Sequence, residues 1–132
     1  MSDDINKRIV NAKKDGYRID IKPHGGRARA VWQGVVIADS AQAVVLEETR
    51  HAPVIYFPRA DARMDLMHKT AHKTHCPFKG DASYFSLKND QTTAENAVWS
   101  YENPIPEAAA IRGYLAFYTQ AMGAHFGIEI KS

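Results

Sequence analysis

The stretch Arg27-Ala28-Arg29-Ala30-Val31-Trp32-Gln33-Gly34-Val35-Val36-Ile37-Ala38 decides the class of fold. Its first half alternates, with Ala28, Ala30 and Trp32 on one side and Arg27, Arg29 and Val31 on the other. A period of two belongs to a half-buried strand and not to a helix. Gln33-Gly34 fits a hairpin tip, because glycine tolerates the positive φ that a tight turn requires. Val35-Val36-Ile37-Ala38 then returns as the partner strand.

The same grammar extends in both directions. Upstream, Tyr17, Ile19 and Ile21 alternate in a predicted strand, and Pro23-His24-Gly25-Gly26 makes a turn. Residues 3–14 read as a short helix capped by Asp3 or Asp4, with Ile5, Ile9 and Val10 at helical spacing. Downstream, 43–47 and 54–57 are β-rich runs separated by His51-Ala52-Pro53, and Pro58 ends the second. Asp61 is placed to cap a short helix to about Met67, and Cys76-Pro77-Phe78-Lys79-Gly80 makes a turn. Strands are predicted over 82–88, 97–101, 114–118 and, more weakly, 127–130, with a helical turn over 107–111. The whole is a mainly β (α+β) domain over 17–132, with residues 1–16 as an N-terminal helical extension.

Composition bounds the function. The chain of 132 residues is one domain's worth and is long enough to bury a core. Lys and Arg number 17 against 15 Asp and Glu, a net charge of +2, which is too balanced for a protein devoted to the phosphate backbone of nucleic acid. One cysteine excludes an internal disulfide framework and any four-cysteine zinc site within one chain. The start, Met1-Ser2-Asp3-Asp4-Ile5-Asn6, lacks the basic and apolar regions of a signal peptide, and no stretch approaches a membrane span. These features predict a soluble cytoplasmic protein, monomeric or homodimeric, away from the membrane. No P-loop, dinucleotide fingerprint, nucleophile elbow or D-x-D pair of metal-holding carboxylates is present.

Several residues carry a resemblance. Ile19-Asp20-Ile21-Lys22-Pro23 leads into Arg27-x-Arg29-x-Val31, then Gly34-Val35-Val36-Ile37-Ala38-Asp39-Ser40, Val45-Leu46-x-Glu48-Thr49 and Pro53-x-x-Tyr56-Phe57-Pro58-Arg59-x-Asp61. The most specific run is Thr74-His75-Cys76-Pro77-x-Lys79-Gly80-x-Ala82-Ser83-Tyr84. Ala97-x-Trp99-Ser100-Tyr101-x-x-Pro104 and Ile111-x-Gly113-Tyr114-x-Ala116-Phe117-Tyr118 complete it. In this order the set resembles the domain of unknown function 427 family of small, mostly bacterial proteins, over about residues 17–120. The resemblance implies a β-tent fold, two antiparallel sheets meeting at an angle, related to Yippee proteins, the ligand domain of cereblon and methionine sulfoxide reductase B. Many such relatives hold a structural zinc with two C-x-x-C pairs. Cys76 stands alone here, so no structural zinc and no cofactor are expected. The family's nucleotidyltransferase-like label carries no catalytic residues onto this chain.

Three constellations remain. Cys76 is a candidate nucleophile, its thiolate favoured by Lys79 and Arg59, against the simpler reading of a small buried hydrophobe before a turn. His68, His72 and His75, with Cys76 and His51, have the residue types of a metal site, but Thr70, Thr74 and Pro77 break a helix there, and a loop of solvated histidines with no metal is the expectation. The aromatics of several strands form a core and, where neighbours meet, a cleft. Tyr56, Tyr84, Trp99 and Tyr101 would sandwich an unknown planar, nucleotide-like small molecule, with Glu48 and Lys79 at the rim. Lys79 would meet an anionic or carbonyl oxygen, and Glu48 would accept a hydrogen bond or act as a base. The rival readings are an enzyme of nucleotidyltransferase or Cys76-dependent type, with Cys76, Lys79 and Glu48 catalytic, and a module that adds a strand or a basic face (Lys22, Arg27, Arg29) to a protein or nucleic acid.

Overall fold

A computed structural model describes residues 16–132, so the helix expected over 3–14 lies outside the described residues. The chain is mainly β, as expected. Its strands are β1 (Ile19–Pro23), β2 (Ala28–Trp32), β3 (Val35–Ser40), β4 (Val44–Glu48), β5 (Val54–Tyr56), β6 (Met67–Cys76), β7 (Gly80–Lys88), β8 (Thr93–Ser100), β9 (Ala116–Phe117) and β10 (Ile128–Lys131). They form three antiparallel sheets, ordered β1-β4-β5, β10-β2-β3 and β6-β7-β8-β9.

The deciding hairpin forms as read. Trp32 faces Val35 across a tip in which Gln33 and Gly34 have φ of 50° and 81°. Two positive φ values make a two-residue turn whose twist matches that of the strands. Ala28, Ala30 and Trp32 are buried, whereas Arg27 and Arg29 stay outside and both bind Asp39, at 2.7 and 3.3 Å. Lys22 lies in another sheet, paired with Glu47 at 2.8 Å. The three basic residues therefore make no common basic face.

Between β5 and β7 the structure departs from expectation. The helix expected from Asp61 to Met67 is replaced by two 3-10 turns, Arg59–Asp61 and Met64–Leu66. Asp61 caps neither turn; its carboxylate accepts from the Ser40 hydroxyl at 2.6 Å. The expected histidine loop is the ten-residue strand β6, an edge strand paired only with β7. Seven of its ten residues are exposed, so it lacks the apolar alternation that marks a strand.

Registered pairs on β7 and β8 show where the core sits. Phe85 faces Val98, and both belong to a cluster with Trp32, Ile37, Phe57, Leu87, Phe117 and Ile128. The neighbouring pair, Tyr84 and Trp99, belongs to a second cluster with Leu46, Tyr56, Tyr101 and Ile111. Successive residues of a strand point to opposite faces. The four-stranded sheet is thus covered on both faces, by β2, β3 and β10 on one and by β4 and β5 on the other. Phe57 and Leu115 exchange two backbone hydrogen bonds of 2.8 Å, which tie β5 to the start of β9.

Candidate functional site

A cleft of about 810 Å³ opens beside the second cluster and reaches Phe117 and the β10 residues Ile128 to Ile130 of the first, and Glu48, Tyr56, Lys79, Tyr84, Trp99 and Tyr101 all line it. Each arrives by a different route. Glu48 ends β4 opposite Ile19, and Tyr56 ends β5 opposite Val44. Lys79 closes the β6–β7 turn, where its N–H binds the Cys76 carbonyl at 3.2 Å and its carbonyl accepts from Ile105 at 3.0 Å. The latter bond draws the Pro104–Ile105 backbone over Gly80. At φ +115°, a Cβ on Gly80 would lie 3.3 Å from Pro104 Cα, so only glycine fits. Tyr84 and Trp99 come from registered positions on adjacent strands, and Tyr101 follows β8.

The aromatics form a continuous wall. Trp99 and Tyr118 lie 4.6 Å apart between ring centres, Tyr84 and Tyr118 stack at 6.4 Å with 8° between planes, and Tyr56 meets Trp99 edge-on at 6.2 Å. All three separations are those of rings already in contact. Together these rings make a wall against which a planar group can lie. Hydrogen bonds hold the wall in place. The Trp99 indole N–H donates to the Tyr56 hydroxyl at 3.2 Å, and the Tyr84 hydroxyl meets Thr74 at 2.9 Å and Tyr118 at 3.4 Å.

The polar end is more enclosed than a rim. The Lys79 ammonium donates to a Glu48 carboxylate oxygen, and the two side chains are 13% and 7% exposed. His51 Nε2 lies 4.0 Å from the other Glu48 oxygen. Burial pushes the phenols of Tyr56, Tyr101 and Tyr118 well above their usual range, helped at Tyr118 by the Tyr84 hydroxyl and at Tyr56 and Tyr101 by the Glu48 charge. These hydroxyls are therefore protonated donors and not phenolates at neutral pH.

The other candidates separate from one another. Cys76 is half-buried at the end of β6, packed against the second cluster. Arg59 does not reach it. The guanidinium binds the Gly113 carbonyl and the Ser100 hydroxyl, each at 3.1 Å, and lies over the ring of Phe85, in the cluster on the opposite face of the sheet. His75 pairs with Asp81 at 2.5 Å, and the His72 ring packs 4.5 Å from Tyr84. Among the described residues no group of three or more His, Cys, Asp or Glu side chains converges to hold a metal ion. No helix among them is long and apolar enough to cross a membrane.

Sequence reasoning had missed Tyr118 and His51 as cleft residues. Tyr118 carries a signal, since Tyr114, Ala116 and Tyr118 alternate along one face, which the structure sets against Trp99 through Ala116. His51 carried none, because it reaches Glu48 only through a turn in which Arg50 takes a φ of 65°.

No curated protein matches the chain significantly. A family model described as "Domain of unknown function (DUF427)" matches residues 20–127, a span from β1 to the residue before β10 that contains Glu48, Tyr56, Lys79, Tyr84, Trp99 and Tyr101. The chain belongs to the domain of unknown function 427 family.

Proposed function

We propose that this is a small-molecule-binding domain whose ligand is planar and lies against the wall of Tyr84, Tyr118 and Trp99. One observation carries the reading. Six residues scattered over 54 positions of sequence, from Glu48 to Tyr101, line one cleft of about 810 Å³, within the usual size of ligand sites. The chemistry supports it. The wall offers stacking surface, while Glu48, Lys79 and the Tyr101 hydroxyl offer one acceptor and two donors at one end. Such a site orients a ring by its edge and holds it by its face.

A thermal-shift screen with nucleobases, nucleosides, nucleotides and cyclic imides tests the reading. At least one class raises the unfolding temperature, and Tyr101→Phe, which removes a single hydroxyl, reduces the response. Trp99→Ala abolishes it. A full response retained in Trp99→Ala refutes the assigned cleft.

A further inference from the structure

The charges lining the cleft bear on what kind of planar molecule it takes. Among the described residues the lining contains one lysine, two carboxylates (Glu48 and Glu129), one histidine and no arginine. The ammonium of Lys79 is already matched by Glu48, with both side chains almost closed to solvent. Glu129, on β10, adds negative charge. His51 can become positive, but it faces the second oxygen of the same Glu48 carboxylate at 4.0 Å. Arg27 and Arg29 are bound to Asp39 and Arg59 to Gly113 and Ser100, and Arg50, beside His51 in the chain, is exposed and outside the lining. A phosphate group entering this cleft would find no lysine or arginine in the lining that is not already matched, and the one unmatched carboxylate there, the exposed Glu129, would oppose it. Anion sites are built the opposite way, from unmatched guanidinium or ammonium groups and free backbone N–H.

The hydrogen-bonding groups point in the same direction. A carboxylate has about four lone-pair sites, and Lys79 occupies one on Glu48. The Lys79 ammonium has N–H groups beyond the one given to Glu48, and Tyr101, whose hydroxyl stays protonated, lines the same cleft. Acceptor and donors therefore stand side by side. Resting on the ligand-site reading above, we infer that the cleft selects an uncharged planar heterocycle with an N–H beside a carbonyl on one edge, as in uracil or guanine and their nucleosides, and discriminates against the phosphorylated forms.

Calorimetric titration of the full chain with adenosine, guanosine, cytidine and uridine, each beside its 5′-monophosphate and 5′-triphosphate, tests this at low salt. Uridine or guanosine binds, its triphosphate binds at least tenfold more weakly, and binding of adenosine or cytidine equal to that of the nucleoside overturns the selection for an N–H beside a carbonyl. Glu48→Gln keeps the shape of the side chain but leaves Lys79 unmatched, so in that variant the triphosphate gains at least tenfold relative to the nucleoside. Triphosphate binding equal to or tighter than nucleoside binding in the unsubstituted protein overturns the charge selection while leaving a ligand site in place. Binding that survives Trp99→Ala, or no binding by any member of the series, overturns the ligand-site reading together with the inference.

Discussion

Glu48 and Lys79 sit where neither charge is well hydrated, so each depends on the other. Lys79→Ala leaves a carboxylate in a nearly closed site and costs about 2–4 kcal/mol, whereas Lys79→Met combined with Glu48→Leu regains most of that, because a matched apolar pair has no charge to desolvate. Urea unfolding of the two variants checks it; a cost below about 0.5 kcal/mol for Lys79→Ala would make the pair equivalent to a surface ion pair. The tyrosines give a pH dependence. Tyr56, Tyr101 and Tyr118 have folded pKa values raised above that of a free phenol, chiefly by burial. Above pH ~10 the unfolded chain loses these protons and the folded chain keeps them, so stability falls as pH rises through and beyond that point. Ultraviolet titration should show three of the six tyrosines ionising only as the alkaline unfolding transition occurs.

At the scale of elements, two turns contrast. Gly34 at φ +81° has nothing within 4 Å of the place a Cβ would occupy, whereas Gly80 at φ +115° has the Pro104 backbone 3.3 Å away. Gly34→Ala therefore costs only backbone strain, about 1 kcal/mol, and Gly80→Ala adds a clash with main chain and costs about 2–4 kcal/mol. Denaturant midpoints for the two variants rank them, and equal midpoints would mean that the Pro104–Ile105 segment yields. The other elements differ in how plainly the chain announces them. β2 was legible because burial of one face writes a period of two into the sequence, and β3, β7 and β8 because they are short runs of branched, aromatic and small residues that bury side chains between turns. β6 was not, because it is an edge whose residues between Met67 and Cys76 are mostly exposed, with Lys69, Lys73 and three histidines. Charged side chains along an open edge oppose pairing with another chain, and the same choice erases the strand signal.

For the molecule as a whole, closure comes from the far end of the chain. β10 pairs with β2, and the Trp32 indole donates to the Phe126 carbonyl at 3.0 Å across 94 positions. Ile128 is completely buried among the residues that β2, β3, β7 and β8 supply. Ile128→Ala leaves a cavity at this junction and costs about 2–4 kcal/mol, although β10 was the faintest of the predicted strands. Thermal unfolding followed separately by near-ultraviolet and far-ultraviolet circular dichroism should show one coincident transition at a lower temperature. Two separated transitions would mean that the clusters on the two faces of the four-stranded sheet fold independently.

The sequence by itself determined the class of fold, the hairpin at Gln33-Gly34, most strand positions and the residue types of the cleft, since alternation, turn glycines and buried aromatics are local consequences of burial and backbone sterics. Only the tertiary structure decided that the strands divide into three sheets, that Lys79 and Glu48 are enclosed together, that Arg59 serves the opposite face from Cys76, and that the aromatics make a wall with Tyr118 at its centre. Those outcomes depend on which distant strands become neighbours. That is settled by the pairing of whole faces across the sheets, a property no short window of residues carries.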